Sequence, residues 1–177
     1  MQHHVPIVLV ERLGRVAAPP AAPGLQLPLA ADQRTSLRGQ RRSACGRELR
    51  LQLPRGAALQ PGELLRSADG HTLVQVVAAP EAVMRVRAAD PLALLQAAYH
   101  LGNRHVAMEL QAHQLVVLQD SVLADLLRQR GLDVACLEAP FHPETGAYEG
   151  HSHGHTHGQS HTHTHGHGEP PAPVDRP

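Results

Sequence analysis

Two different spacings of apolar residues divide this chain. From residue 5 to about residue 75 the apolar runs are short and are broken by Pro and Gly: Val5 to Val10, Leu25 to Leu29, Leu49 to Leu53 and Leu73 to Val77. In the third run Leu49, Leu51 and Leu53 alternate with Arg50 and Gln52, the period-two pattern of a half-buried strand, while Pro61-Gly62 and Asp69-Gly70 are turn dipeptides. These runs predict strands. The stretch from Arg34 to Arg47, rich in Arg and containing Gly39 and Gly46, reads as a solvated loop or edge strand, or else as a contact surface for an acidic partner.

After Ala78 the pattern becomes strand, helix, strand, strand, helix, strand. Glu81 to Arg87 predicts a strand, and Asp90-Pro91 then supplies an N-cap with Pro at the first helical position. In the helix that follows, Leu92, Leu95 and Tyr99, with Leu94 and Ala98, form the expected apolar face, and Gly102 suits the left-handed position at its end. Val106 to Leu110 and Leu115 to Gln119 predict two short strands. Asp120-Ser121 opens a second helix with Val122, Leu123, Leu126 and Leu127 on its buried side and Gly131 at its end, and Val134 to Leu137 predicts the closing strand. The order βαββαβ is that of a ferredoxin-like unit, whose two helices cover one face of an antiparallel sheet. The expected class is therefore α+β, with an N-terminal all-β domain (1–76), a ferredoxin-like domain (77–148) and a disordered His-rich tail (149–177); protein or peptide binding by the first domain, and metal binding and dimerisation by the second, are what the family resemblance given below implies.

The tail changes the chemistry. Between His151 and His167, eight of the 15 histidines of the chain fall within 17 positions, at His151, His153, His155, His157, His161, His163, His165 and His167, spaced by Gly, Ser, Thr and one Gln. Neutral imidazole is a ligand for borderline transition ions, and such spacers let several rings reach one ion. A backbone without fixed geometry imposes no selectivity, so Ni(II) is expected alongside Cu(II), Zn(II) and Co(II). Interruption of the run and the following Glu169 to Pro177 distinguish it from a purification tag.

Composition narrows the classes further. The 177 residues carry balanced formal charge and 2% aromatics against 42% hydrophobics, so the core must be built from Leu, Val and Ala. Zero net charge argues against a nucleic-acid surface or a polybasic membrane anchor. No run approaches the roughly 18 apolar residues of a membrane helix, and the N-terminus lacks a basic segment before its apolar run, which is cut off by Glu11 and Arg12; a soluble cytoplasmic protein is the expectation. Cys45 and Cys136 stand apart, with no C-x-x-C pair. Paired carboxylates, a nucleophile elbow, a phosphate-binding loop and a dinucleotide fingerprint are all missing, so an enzyme is not expected.

Between the first predicted helix and the next strand stands Tyr99-His-Leu-Gly-Asn-Arg-His105. This segment closely resembles the metal-binding hallmark of the urease accessory nickel chaperones, the UreE family. Pro143-Glu-Thr-Gly-Ala-Tyr148, the helix from Asp120 to Gly131 and the Arg-rich N-terminal strand region match in the same order, so the resemblance covers most of the chain. It implies a nickel metallochaperone for urease maturation: a homodimer formed through the ferredoxin-like domains, in which His105 from both protomers holds one nickel ion at the two-fold axis. The implied partners are a urease accessory GTPase and the urease apoprotein complex. A nickel or zinc store that never delivers its ion is the alternative.

The remaining histidines differ in standing. His100 is a candidate ligand but could equally bond a carbonyl of the last helical turn. His142, leading into the tail, is a further candidate ligand. His113 reads more simply as a loop residue, and His3, His4 and His71 as surface residues. Where some family members carry two histidines one residue apart at the start of the second helix, this chain has Gln119 and Ser121, so the resemblance implies no auxiliary site there.

Overall fold

The computed structural model describes residues 5–15 and 24–145. Along them run β1 (Ile7–Arg15), β2 (Leu25–Leu29), a 3-10 turn (Gln33–Thr35), β3 (Arg38–Arg42), β4 (Glu48–Gln52), β5 (Glu63–Ser67), β6 (Leu73–Ala78), β7 (Pro80–Arg87), α1 (Pro91–Gly102), β8 (Met108–Gln111), β9 (Gln114–Leu118), α2 (Ser121–Gln129) and β10 (Asp133–Pro140). The architecture is mixed α+β, mostly strand with two helices. No helix among these residues is long and apolar enough to cross a membrane.

The first six strands form one sheet in the order β2-β6-β5-β1-β4-β3, with β2–β6 and β1–β4 parallel and the other neighbours antiparallel. The alternation in β4 becomes burial: Leu49 and Leu51 are inside, as is Leu53 just beyond, and they join Leu9, Leu27, Leu29, Leu59, Leu65, Val74 and Val76 in one aliphatic cluster. The Arg-rich stretch contains edge strand β3, paired on one side only. β5 was not evident as a strand, because Glu-Leu-Leu-Arg-Ser is buried at four of its five positions and so shows no alternation. Its Glu63 enters the interior as one half of an ion pair, with Arg12 Nη2 2.8 Å from Oε1, while Oε2 accepts the Gln60 amide at 2.8 Å.

A second sheet, wholly antiparallel, runs β10-β7-β9-β8. Met84, Val86, Leu115 and Val117 project from it to one side, and Leu94, Ala97 and Leu101 of α1 join Ala124 and Leu127 of α2 against them. Both helices therefore lie on the same face. The expected N-caps hold, with the Asp90 carboxylate accepting the Leu92 amide at 3.0 Å and that of Asp120 accepting the Leu123 amide at 2.9 Å. The expected face of α1 does not. Leu92, Leu95 and Tyr99 are 58, 67 and 68% exposed. Among twelve residues only Gln96, His100 and the terminal Gly102 are neither aliphatic nor aromatic after Pro91, so spacing alone permits two stripes, and docking onto the sheet selects the one through Leu94, Ala97 and Leu101. On α2, Val122 is likewise exposed at 75%, and Ala124 with Leu127 takes the buried side.

Candidate metal centre

The end of α1 shapes the histidine motif. His105 donates its amide to Gly102 O at 2.9 Å and Val106 donates to Leu101 O at 3.1 Å. These paired bonds, with Val106 packed onto the cluster that contains Leu101, make a Schellman closure. The left-handed residue such a closure requires is not the expected Gly102 but His105, at φ 56°, the one non-Gly residue with positive φ among the described residues. α2 ends in the same way: Gly131 donates to Arg128 O at 2.9 Å, Leu132 donates to Leu127 O at 3.1 Å, and the left-handed residue is Gly131, at φ 79°. One helix thus carries glycine at this position and the other carries histidine. For an L-residue this backbone costs on the order of 1 kcal/mol, less for His than for a bulky or β-branched side chain.

His105 is exposed, as a ligand for an incoming ion must be. His100 is partly buried, its ring edge-on to Tyr99 with centroids 5.5 Å apart, and its side chain makes no hydrogen bond among the described residues. His113 lies exposed in the β8–β9 turn, and His71 in the turn before β6, where its amide bonds Asp69 Oδ1 at 3.0 Å. Cys45, in the turn between β3 and β4, has Sγ 3.3 Å from Ser43 Oγ, and that hydroxyl holds its thiol below the usual range. Among the described residues no three His, Cys, Asp or Glu side chains converge to hold an ion. The eight histidines from His151 to His167, and His3 and His4, lie outside the described residues.

His142 stands where β10 gives way to the tail. The chain passes under the sheet face away from the helices, burying Phe141 against Val83 and Val116. It then reaches the opposite edge strand: the His142 amide donates to Glu109 Oε2 at 3.0 Å and the Glu144 amide to Met108 O at 2.7 Å. The Met108 side chain lies against Gly102, so this root of the tail runs beside the helix end that bears His105. A connection between the two sheets, not foreseen from the sequence, holds it there. Arg34, 6% exposed, donates through Nη2 to Phe141 O at 2.7 Å and through Nη1 to Leu29 O at 3.4 Å, and Glu81 Oε1 accepts the Ala31 amide at 2.8 Å. Burial pushes the Arg34 guanidinium down from its ordinary value, opposed by the charges of Glu81 and Asp32. Residues 34 and 141 are too far apart for any local pattern to have signalled the pair.

Comparison with known proteins supports one family over the whole folded region. Residues 9–79 match the model of the UreE urease accessory protein, N-terminal domain, and residues 81–167 that of its C-terminal domain. The chain is 56% identical over 137 residues to the urease accessory protein UreE of Parasynechococcus marenigrum, covering 77% of this chain and 91% of that protein. It is 54% identical over 149 residues to the protein of the same name from Synechococcus sp. strain WH7805, covering 83% and 85%. With that of Enterobacter sp. strain 638 it shares 45% identity over 148 residues, covering 82% and 95%. The chain therefore belongs to the UreE family of urease accessory proteins.

Proposed function

We propose that this chain is a nickel metallochaperone: it gathers Ni(II) on its histidine-rich tail, seats it between two His105 side chains, and passes it on for assembly of the urease active site. The family is one of accessory proteins, not enzymes, with a role in urease maturation. The observation that carries the nickel step is the backbone at His105. Helix closure favours glycine there, as α2 shows, so folding alone gives no reason for an imidazole at that exposed point. One His binds an ion weakly. A two-fold axis doubles it, and ligands from the tail complete the coordination with exchangeable imidazole, which lets the ion leave by ligand exchange.

An exposed apolar surface on α1 supports a two-fold axis close to the helix end. α1 presents Leu92, Leu95 and Tyr99 to solvent, Leu110 is 50% exposed, and Leu95 and Leu110 line an apolar groove of about 350 Å³ beside the helix. An apolar stripe ending near His105 is a surface that a second copy would cover. Light scattering is expected to give a dimer at micromolar protein without nickel, because the ion adds a tie to an interface already apolar. Leu95→Arg should shift it to monomer with helix content unchanged. A monomeric wild-type apo-protein would contradict the dimer.

The tail also fits the root geometry. Glu144 is bonded to Met108, three residues from His105, and the stretch from Glu144 to His151 spans at most about 25 Å, so the first tail histidines can reach the His105 pair. Cu(II), Zn(II) and Co(II) should bind as well, since nothing in a set of imidazoles excludes them. A cytoplasmic homodimer that meets a urease accessory GTPase and the urease apoprotein complex completes the proposal. The rival, a nickel or zinc store, rests on the tail composition alone.

Calorimetric nickel titration of the full chain beside a chain ending at Tyr148 separates them. Delivery requires one defined site per dimer to survive truncation, and a store loses all binding with the tail. Proton competition gives a second arm: with imidazole near its reference pKa of about 6.5, the neutral ligating form disappears on acidification, so tail capacity should fall steeply between roughly pH 7 and pH 5.5. Capacity unchanged at the acid end would remove imidazole as the ligand.

A further inference from the structure

The open side of β3, at the end of the first sheet, offers hydrogen-bond donors and few acceptors. β3 pairs only with β4, and two bonds at its ends, from Leu53 N to Leu37 O at 3.1 Å and from Ser43 N to Arg47 O at 2.9 Å, fix the alternation. Gly39 and Arg41 therefore turn their main chain toward β4, whereas Arg38, Gln40 and Arg42 turn theirs outward. Two of the three outward carbonyls are already taken: Ser36 Oγ donates to Arg38 O at 3.1 Å, and Arg41 Nη1 donates to Gln40 O at 2.8 Å. A Cβ at Gly39, where φ is 123°, would lie 3.3 Å from Arg41 Nη1, so the missing side chain leaves the guanidinium its place. An added strand needs acceptors and donors in alternation, and these two bonds blunt the edge against it. What remains are the outward amides of Arg38, Gln40 and Arg42.

The side chains around this edge are donors as well. From Arg38 to Arg55 the chain carries six arginines and one acid, Glu48. Arg38 and Arg42 stand on the exposed face, with Arg50 opposite Gln40. Arg42 approaches Glu48 only to 3.9 Å, with both side chains largely in water, a pairing of little strength. Arg41 Nε is buried and has no hydrogen-bond partner among the described residues, beside a cleft of about 460 Å³ that Arg41 and Arg42 line with Gln33, Pro28 and Leu49. A buried guanidinium N–H without an acceptor is costly, and an anion entering the cleft relieves that cost.

We propose that the open edge of β3 is a binding site for an extended acidic segment of a protein partner, whose carboxylates are taken by Arg38, Arg41 and Arg42 and by the outward amides between them. The inference goes beyond the nickel reading and uses no residue of that centre. Arg38 and Arg42 lie about 13 Å apart along the strand, and an extended peptide repeats its same-face side chains about every 7 Å, so carboxylates two or four positions apart meet them in register. Guanidinium groups take carboxylates in forked pairs. On an exposed surface one such pair is weak, so affinity comes from several together and should fall as salt rises. A nucleic-acid strand, the other polyanion, is disfavoured, because residues 5–78 contain no Phe, Tyr or Trp on which a base could stack.

Fluorescence anisotropy on the metal-free full-length chain tests this with three labelled probes: a short peptide alternating Glu with Thr, its counterpart alternating Gln with Thr, and a thymidylate oligomer of similar length. The acidic peptide should bind about tenfold more tightly than the neutral one, which the covered carbonyls deny its main-chain pairing. Equal binding of the two peptides would mean strand addition and overturns the proposal. So does a thymidylate oligomer that binds as tightly as the acidic peptide, or an acidic peptide that does not bind saturably. The double variant Arg38→Gln/Arg42→Gln alters only exposed side chains, and should weaken the acidic peptide about tenfold. Arg128→Gln/Arg130→Gln, which removes the same charge from the end of α2, should weaken it less than about twofold; equal losses would reduce the effect to net charge and overturn the site. Arg41→Met removes a donor and frees the Gln40 carbonyl, so it should narrow the preference for the acidic over the neutral peptide, and an unaltered preference overturns the arrangement proposed. Amide exchange then places the ligand: the Gln40 and Arg42 amides should slow about threefold or more under saturating acidic peptide, and protection elsewhere with none at β3 overturns the proposal.

Discussion

His105→Gly should abolish the defined nickel site while leaving the fold as stable as before or more so. Most ligand substitutions confound loss of metal with damage to the fold, but here the two effects oppose each other. Glycine is the residue that a Schellman closure prefers, and it removes the left-handed backbone strain at φ 56°. Part of that gain is offset because glycine also frees the unfolded chain. The net expectation lies between no change and about 1 kcal/mol of added stability, a Tm rise of up to roughly 3 °C. His105→Ala keeps the strain and lacks the relative tolerance of His for this backbone, so its stability should fall slightly below wild type. In a chain ending at Tyr148, nickel affinity should drop tenfold or more in both variants, since one substitution removes a ligand from each protomer of the proposed dimer. The paired readout is thermal unfolding beside nickel calorimetry. A markedly destabilised Gly variant would show that His105 makes a structural contact, and retained affinity would show that the ion sits elsewhere.

The second large effect concerns cells. Removal of residues 149–177 takes away eight of the chain's 15 histidines and, on the proposed function, should remove most nickel capacity while leaving the proposed His105 pair. His105→Ala does the reverse. With nickel plentiful, the tail-less protein is expected to support urease activation close to wild type while His105→Ala is strongly impaired. As nickel becomes scarce the tail deletion should fail progressively, because capture is then limiting. Urease activity across a nickel series in cells carrying each variant reads this directly. If the tail deletion were inactive at high nickel and His105→Ala behaved as wild type, delivery would belong to the tail and the dimer-axis site would fall.

What this sequence determined by itself was whatever one segment could encode. Asp90-Pro91 and Asp120 announce the starts of both helices, because an N-cap carboxylate needs only the amides two or three residues on. Alternation of Leu49, Leu51 and Leu53 announces a strand with one buried side. Gly131 announces the close of α2, and the segment Tyr99 to His105 with the histidine-rich tail points to the family and its metal. Tertiary structure decided what depends on which neighbour a residue meets. α1 is apolar almost all round, so only its docking onto the second sheet assigned Leu94, Ala97 and Leu101 to the interior and left Leu92, Leu95 and Tyr99 outside. β5 was hidden because burial on both faces erases alternation. The left-handed residue moved from Gly102 to His105 because the turn after α1 closes where Val106 can pack onto the cluster around Leu101. Arg34 finds its carbonyl at Phe141 only after two sheets have formed and met, and no local pattern can carry the meeting of residues 107 positions apart.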